Sequence, residues 1–379
     1  NWYASDKFNM YGRFGVFKHD IGDQQVFGDL GGPGIRSADP TSFGYTYTTT
    51  VAGTYVVQPN LIVDSYFGWT LLDTTGEFAR LDEKLGLNLL GIPGTNGSRR
   101  FEGGWPRFSI GSYTGLGAPS ANRPLYYHNP QYQYVANANW TKGAHSIRFG
   151  LELYRQDLNQ TQPEVGGASH GASGGFTFSG GPTSVRGGPS ANQFNSYANF
   201  LLGLPTGIGK IDHVTTPYTL RGWLYSYYIR DQWRATSRLT LSYGVRWEYF
   251  PIPVRADRGV ERYDPNINKM LICGVGSVPR NCGVDVSKTG FVPRLGLAYR
   301  ATDTFVIRAG YGITNDPYSL ANAMRGNYPA AIALTITGPN SFQPAGLLKN
   351  GIPPITRPAL GSGTIDIPGN VAATTLPDK

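Results

Sequence analysis

The chain has 379 residues and a formal net charge of +8, with 15% charged and 13% aromatic residues, 51 glycines, 27 prolines and 24 tyrosines. No apolar run approaches the ~20 residues of a spanning helix, and the mean hydropathy is −0.28, which excludes a helical membrane protein but not one that spans with alternating strands. The basic residues are dispersed, without a long Lys/Arg run or a nucleic-acid motif, so no DNA or RNA partner is expected. Abundant Tyr, Thr and Val favour strands, and Gly, Pro, Asn and Ser clusters punctuate them, so the fold class is all-β.

The chain opens almost directly in a strand, with neither an initiator Met nor a signal peptide, and reads as a piece of a longer protein. The first strand covers residues 7–17, with Phe8, Met10, Phe14 and Val16 on one parity; a Gly/Asp-rich loop of residues 18–42 follows. Tyr45, Tyr47, Val51, Tyr55 and Val57 mark the next strand, and Gln58-Pro59-Asn60 turns it into a partner carrying Leu61, Val63, Phe67, Trp69 and Leu71. Periodicity then dissolves over residues 72–125. It resumes with Tyr132, Tyr134, Ala136, Ala138 and Trp140, which turn at Thr141-Lys142-Gly143-Ala144 into Ile147, Phe149, Leu151 and Leu153. Residues 156–220 form another Gly/Ser-rich stretch, in which residues 196–203 are the best candidate for a short helix.

The clearest hairpin comes next. Trp223, Tyr225, Tyr227 and Ile229 alternate with Leu224, Ser226, Tyr228 and Arg230, Ala235-Thr236-Ser237-Arg238 turns the chain, and Leu239, Leu241, Tyr243, Val245, Trp247 and Tyr249 occupy every second position of the return strand. A period of two puts these side chains on one face and Arg246 and Glu248 on the other. A loop of residues 251–290 follows; Phe291, Leu295, Leu297 and Tyr299 then turn at residues 301–304 into Phe305, Ile307, Ala309, Tyr311 and Ile313. Tight turns and long loops thus alternate, as they do in an antiparallel up-and-down transmembrane β-barrel, and about nine strands are legible. Residues 1–314 are expected to form this partial barrel. Its long loops should be loosely ordered, and residues 315–379 should be a Pro/Gly-rich extracellular loop or tail.

Glycines on the polar parity, Gly150, Gly244, Gly296, Gly310 and Gly312, suit a curved wall or a closely packed lumen. Asp231 shares the apolar parity; either it sits at the membrane interface near the turn or a bulge shifts the register. Arg148, Arg230, Arg246, Glu248, Arg294 and Arg308 are lumen-facing candidates, as a basic surface that attracts an anionic substrate or pairs with carboxylates of a plug, or simply as the polar lining any lumen needs. Trp105, Tyr113, Tyr126 and Tyr127 are candidate substrate contacts in the loops, or interface anchors. Cys273 and Cys282 are spaced for a small disulfide or remain free thiols. The five histidines are scattered without metal spacing or an accompanying nucleophile, so no catalytic residue, metal or cofactor is expected.

The hairpin Tyr228-Ile229-Arg230-Asp231-Gln232-Trp233-Arg234 with Leu239-Thr240-Leu241-Ser242-Tyr243-Gly244-Val245-Arg246-Trp247-Glu248 resembles the barrel of TonB-dependent outer-membrane transporters, and more narrowly their Oar-like branch. Further matches are Trp140-Thr141-Lys142-Gly143-Ala144-His145-Ser146-Ile147-Arg148-Phe149-Gly150, Asn199-Phe200-Leu201-Leu202-Gly203-Leu204-Pro205, and Pro293-Arg294-Leu295-Gly296-Leu297-Ala298-Tyr299 leading to Arg308-Ala309-Gly310-Tyr311-Gly312. The resemblance covers nearly the whole chain. It implies energy-coupled uptake of a large substrate such as a siderophore or glycan, through a 22-stranded barrel with a plug and a TonB-contacting box. Neither plug nor box is present in these residues. The expected partners are membrane lipid, lipopolysaccharide, TonB through those missing parts, and an imported substrate. The rival readings are a passive porin-like or adhesive barrel and a soluble all-β carbohydrate-binding protein.

Overall fold

The computed structural model describes residues 1–36, 41–163, 170–317, 326–369 and Leu376. Its strands are, in chain order, β1 (Trp2–Ser5), β2 (Phe8–Gly22), β3 (Thr41–Gln58), β4 (Leu61–Gly76), β5 (Arg107–Ile110), β6 (Leu116–Gly117), β7 (Leu125–Lys142), β8 (His145–Thr161) and β9 (Gly175–Phe178). Helix α1 (Gln193–Leu201) precedes β10 (Gly207–His213), β11 (Tyr218–Arg234), β12 (Leu239–Tyr249), β13 (Glu261–Asp264), β14 (Lys269–Ile272), β15 (Phe291–Arg300), β16 (Val306–Gly312), β17 (Ala331–Thr337) and β18 (Thr364–Ile365).

Ten of these strands form one sheet, the wall, in the order β1-β2-β3-β4-β7-β8-β11-β12-β15-β16. Every neighbouring pair is antiparallel. The sheet is not closed: among the described residues β1 pairs only with β2 and β16 only with β15. The sequence showed about nine strands; the tenth is β1, only four residues long, too short to display a period.

The register joins the apolar parities of all the strands into one face. A single row runs Phe8, Tyr55, Val63, Ala138, Phe149, Ile229, Val245 and Pro293 across eight neighbouring strands. Among the described residues nothing covers this face: Phe14, Phe67, Phe149, Ile229, Leu295 and Tyr311 are all exposed. A soluble sheet would bury such a face.

Burial is concentrated in the long segments. They are not loose loops, as the sequence suggested, but build a compact cap with two sheets of its own, ordered β17-β10-β9-β5-β6 and β13-β14-β18. Phe108, Phe176, Phe178, Ile208 and Ile352 pack in one cap cluster, and Met270, Ile272, Tyr328, Ile332 and Ile365 in another. The segment after residue 314 is therefore no free tail, since β17 and β18 complete these sheets; residues 318–325 and, apart from Leu376, 370–379 lie outside the described part. The short helix falls where the sequence placed it. Asn192 caps α1 by accepting from the amides of Phe194 and Asn195, and Phe200 packs on Phe178 with ring centroids 5.3 Å apart.

The wall strands are also longer than their alternation indicated. β3 and β7 have 18 residues each and β8 and β11 have 17. Eighteen residues reach about 60 Å at ~3.3 Å per residue, about twice the thickness of a bilayer core. Their excess lies at the loop end. There Leu158 of β8 and Leu220 of β11 are buried with Val260 and the Cys273–Cys282 disulfide of the cap, and Arg255 donates to the Thr219 carbonyl. At the opposite end the tight turns are laced together by Thr141 N–H to Asn60 C=O, Arg234 N–H to Ala144 C=O and Arg300 N–H to Arg238 C=O.

Candidate functional site

The second face of the wall carries the polar parity, and a cavity of about 740 Å³ lies against it, lined from Tyr66 on β4 to Gly296 on β15. Arg148, Arg230, Arg246 and Arg294 all line this cavity. Glu248 and Arg308 share the face, by their pairing with Ser226 and Ala298. Strand pairing therefore gathers six residues spread over 160 positions of sequence.

The polar side chains sort into rows, because same-face neighbours across a sheet stand level with one another. Farthest from the turns of these rows, Glu152, Ser226 and Glu248 are level. Arg246, one row nearer the turns, reaches up to both carboxylates, with Nη2 2.7 Å from Glu152 Oε2 and Nε 2.9 Å from Glu248 Oε1. Gln133 donates to the other oxygen of Glu152 at 2.7 Å. The row of Arg246 also contains Asp64, Asn137, Gly150 and Tyr228. Asn137 Nδ2 donates to Asp64 at 2.7 Å, Tyr228 Oη donates to Asn137 Oδ1 at 2.5 Å, and Arg148 Nε donates to Tyr228 Oη at 3.0 Å. One row closer still to the turns stand Arg148, Arg230, Gly244 and Arg294.

Glycine makes this packing possible. A Cβ on Gly150 would stand 2.7 Å from Asn137 Oδ1 and 3.1 Å from the Tyr228 ring, and one on Gly244 would stand 2.7 Å from Arg230 Cβ. The polar parity was legible in the sequence. Asp64, Gln133, Asn137, Glu152 and Tyr228 were not singled out there, because their part depends on register, which alternation does not reveal.

The loop aromatics do not converge on one site. Trp105 is buried within the cap, its Nε1 donating to the Asp29 carbonyl at 2.6 Å. Tyr126 and Tyr127 belong to β7, their hydroxyls engaged by Glu77 and Gln162. Tyr113 is exposed, beside Tyr197 of α1. Cys273 and Cys282 form the disulfide, with Cα atoms 5.0 Å apart. His213 is fully buried in the cap between Phe101 and Tyr218, where burial pushes its pKa down to about 3 and keeps it neutral. Burial likewise holds His170 at about 4. Among the described residues no three His, Cys, Asp or Glu side chains gather closely enough to hold a metal ion.

Asp231 lies on the apolar face with no bulge: the pairing of β11 with β8 and β12 runs unbroken through it. Its Oδ2 accepts from His145 Nδ1 at 2.5 Å and from Tyr243 Oη at 2.8 Å, and His145 stacks on Trp233. All of these lie near the turn end of the wall.

Among solved structures the chain is similar to the outer membrane transporter YddB from Escherichia coli, at 14% identity over 82% of this chain and a TM-score of 0.40. It is also similar to a Pseudomonas aeruginosa FadL homologue, at 10% identity over 81% of this chain and a TM-score of 0.26, and to the Ralstonia pickettii toluene transporter TbuX, at 10% over 88% and 0.26. The matches span 30%, 57% and 76% of those chains respectively. Scores this low carry no argument about function. No curated protein matches the chain. The sequence model of the outer membrane beta barrel domain matches residues 1–379 in full. The chain belongs to the outer membrane beta barrel domain family, and its place is the outer membrane.

Proposed function

We propose that the chain forms part of the wall, and the extracellular cap, of a TonB-dependent outer-membrane transporter of the Oar-like kind. The observation that carries this reading is the division of burial: the wall exposes its apolar face and turns a charged, hydrogen-bonded face to a cavity, while the hydrophobic packing is concentrated in the cap. Lipid is the solvent that tolerates the first face, and a water-containing lumen the second. The outer edges of β1 and β16 would leave backbone groups unpaired in hydrocarbon, at a cost of several kcal/mol each, so the wall reads as one part of a wider closed barrel. Membrane lipid and lipopolysaccharide would surround it. A plug and a TonB-contacting segment would belong to other parts of the whole protein.

Energy coupling separates this reading from a passive pore. The whole protein, purified from outer membranes and reconstituted in planar bilayers, should be silent to ion flow, because a plugged lumen passes none. Steady conductance without any energising partner would overturn the coupled reading in favour of a porin-like barrel.

A further inference from the structure

We propose that Arg148, Arg230 and Arg294 form a binding site for a small oxyanion carrying several negative charges, such as an oligophosphate or polycarboxylate. The proposal rests on the lumen reading above and adds to it the class of ligand. Arg148 and Arg230 are directly paired across β8 and β11, and Arg230 and Arg294 both pair with Gly244 of β12. Three arginines thus stand in one row across four strands, a width of about 14 Å at ~4.8 Å per strand. Like charges directly opposite one another oppose sheet formation.

Among the described residues no acid relieves that repulsion. Glu152 and Glu248 stand on the same face but hold Arg246, and Asp64 is taken by Asn137 and Asn139. Among the described residues Arg148 hydrogen-bonds only to the Tyr228 hydroxyl, and Arg230 and Arg294 have no hydrogen bond or ion pair. Both of the latter are exposed on the cavity. Gly244 contributes by what it lacks, since a side chain there would meet Arg230 and narrow the space between the two free guanidinium groups. The row therefore presents forked donors that match phosphate or carboxylate oxygens, on a rigid sheet and without a neutralising charge among the described residues. An oxyanion with two or more charged groups can engage neighbouring arginines at once; a single small anion can satisfy only one or two.

The test is calorimetric titration of the whole purified protein in detergent with orthophosphate, pyrophosphate and tripolyphosphate, at low and moderate salt. Affinity should rise through the series and fall with salt. The double variant Arg230→Gln with Arg294→Gln should bind tripolyphosphate at least tenfold more weakly. Arg13→Gln removes a charge from the same face of β2, far from the row, and should leave affinity unchanged, while Arg230→Lys should fall between wild type and Arg230→Gln. Absence of binding in wild type, or equal affinity in the double variant, would overturn the proposal. A nitroxide at Ser242, one row from the arginines, keeps the two readings apart. Contact with a lipid-soluble quencher there would sink the lumen reading itself, whereas water-side access without phosphate binding would sink only the arginine site.

Discussion

Gly150 shows how much a single hydrogen atom in place of a side chain decides in this wall. The sequence placed it on the polar parity, and the structure gives the reason: the Tyr228 ring crosses it to reach Asn137, which in turn holds Asp64. In Gly150→Ala the new methyl would stand 2.4 Å from the Ala136 carbonyl oxygen as well as crowding that ring, adding overpacking of about 1–3 kcal/mol to the loss of a hydrogen bond worth ~1 kcal/mol. Tyr228→Phe removes the hydrogen bond without the crowding, so it should cost only about 1 kcal/mol. Urea midpoints of the folded protein in lipid vesicles should rank wild type above Tyr228→Phe and Tyr228→Phe above Gly150→Ala. An alanine variant as stable as wild type would show that the crowding is absent. Asp231 marks what parity alone leaves open. Alternation put a carboxylate on the apolar face, but only the register shows His145 and Tyr243 beside it on adjacent strands.

Strand β12 is the element most legible in the sequence, because its unbroken alternation of apolar and polar residues has no helical rendering. Spin labels placed singly at Leu241, Ser242, Tyr243 and Gly244 should alternate between lipid-soluble and water-soluble quenchers. Uniform contact with the water-soluble quencher along the series would remove β12 from the membrane. The cap strands were hidden for a physical reason. β10 pairs with β17 in another long segment, β5 pairs with β9 in parallel, and most cap strands have only two to four residues, so neither a period nor a hairpin turn announces them. The loop-end half of β8 and the first residues of β11 were missed for a related reason. Packing against the cap buries both parities, Leu158 and Gln160 on one and Asp157 and Thr161 on the other, and this erases the alternation that marks the half exposed to solvent on each side. The candidate site was half legible in the same sense: parity named the arginines, and register alone set Arg148, Arg230 and Arg294 level and gave the acids to Arg246.

For the whole molecule, antiparallel connectivity fixes a polarity. Every tight turn of the wall lies at one end, and the long segments build the cap at the other. Short turns suit the periplasmic side and long segments the exterior, and the cap's disulfide fits an oxidising compartment. The chain's two cysteines are joined to each other, so within these residues an introduced thiol can be labelled against no native background. Ser190, exposed before α1 in the cap, and Ser237, exposed in the turn between β11 and β12, sample the two ends. In intact cells a membrane-impermeant maleimide should label Ser190→Cys at once and reach Ser237→Cys only after the outer membrane is permeabilised. Both positions are in exposed, irregular backbone, so neither substitution disturbs the packing that defines the ends. If Ser237→Cys reacted first and Ser190→Cys stayed protected, the barrel would be inverted, and the cap would belong to the periplasmic side of the wall.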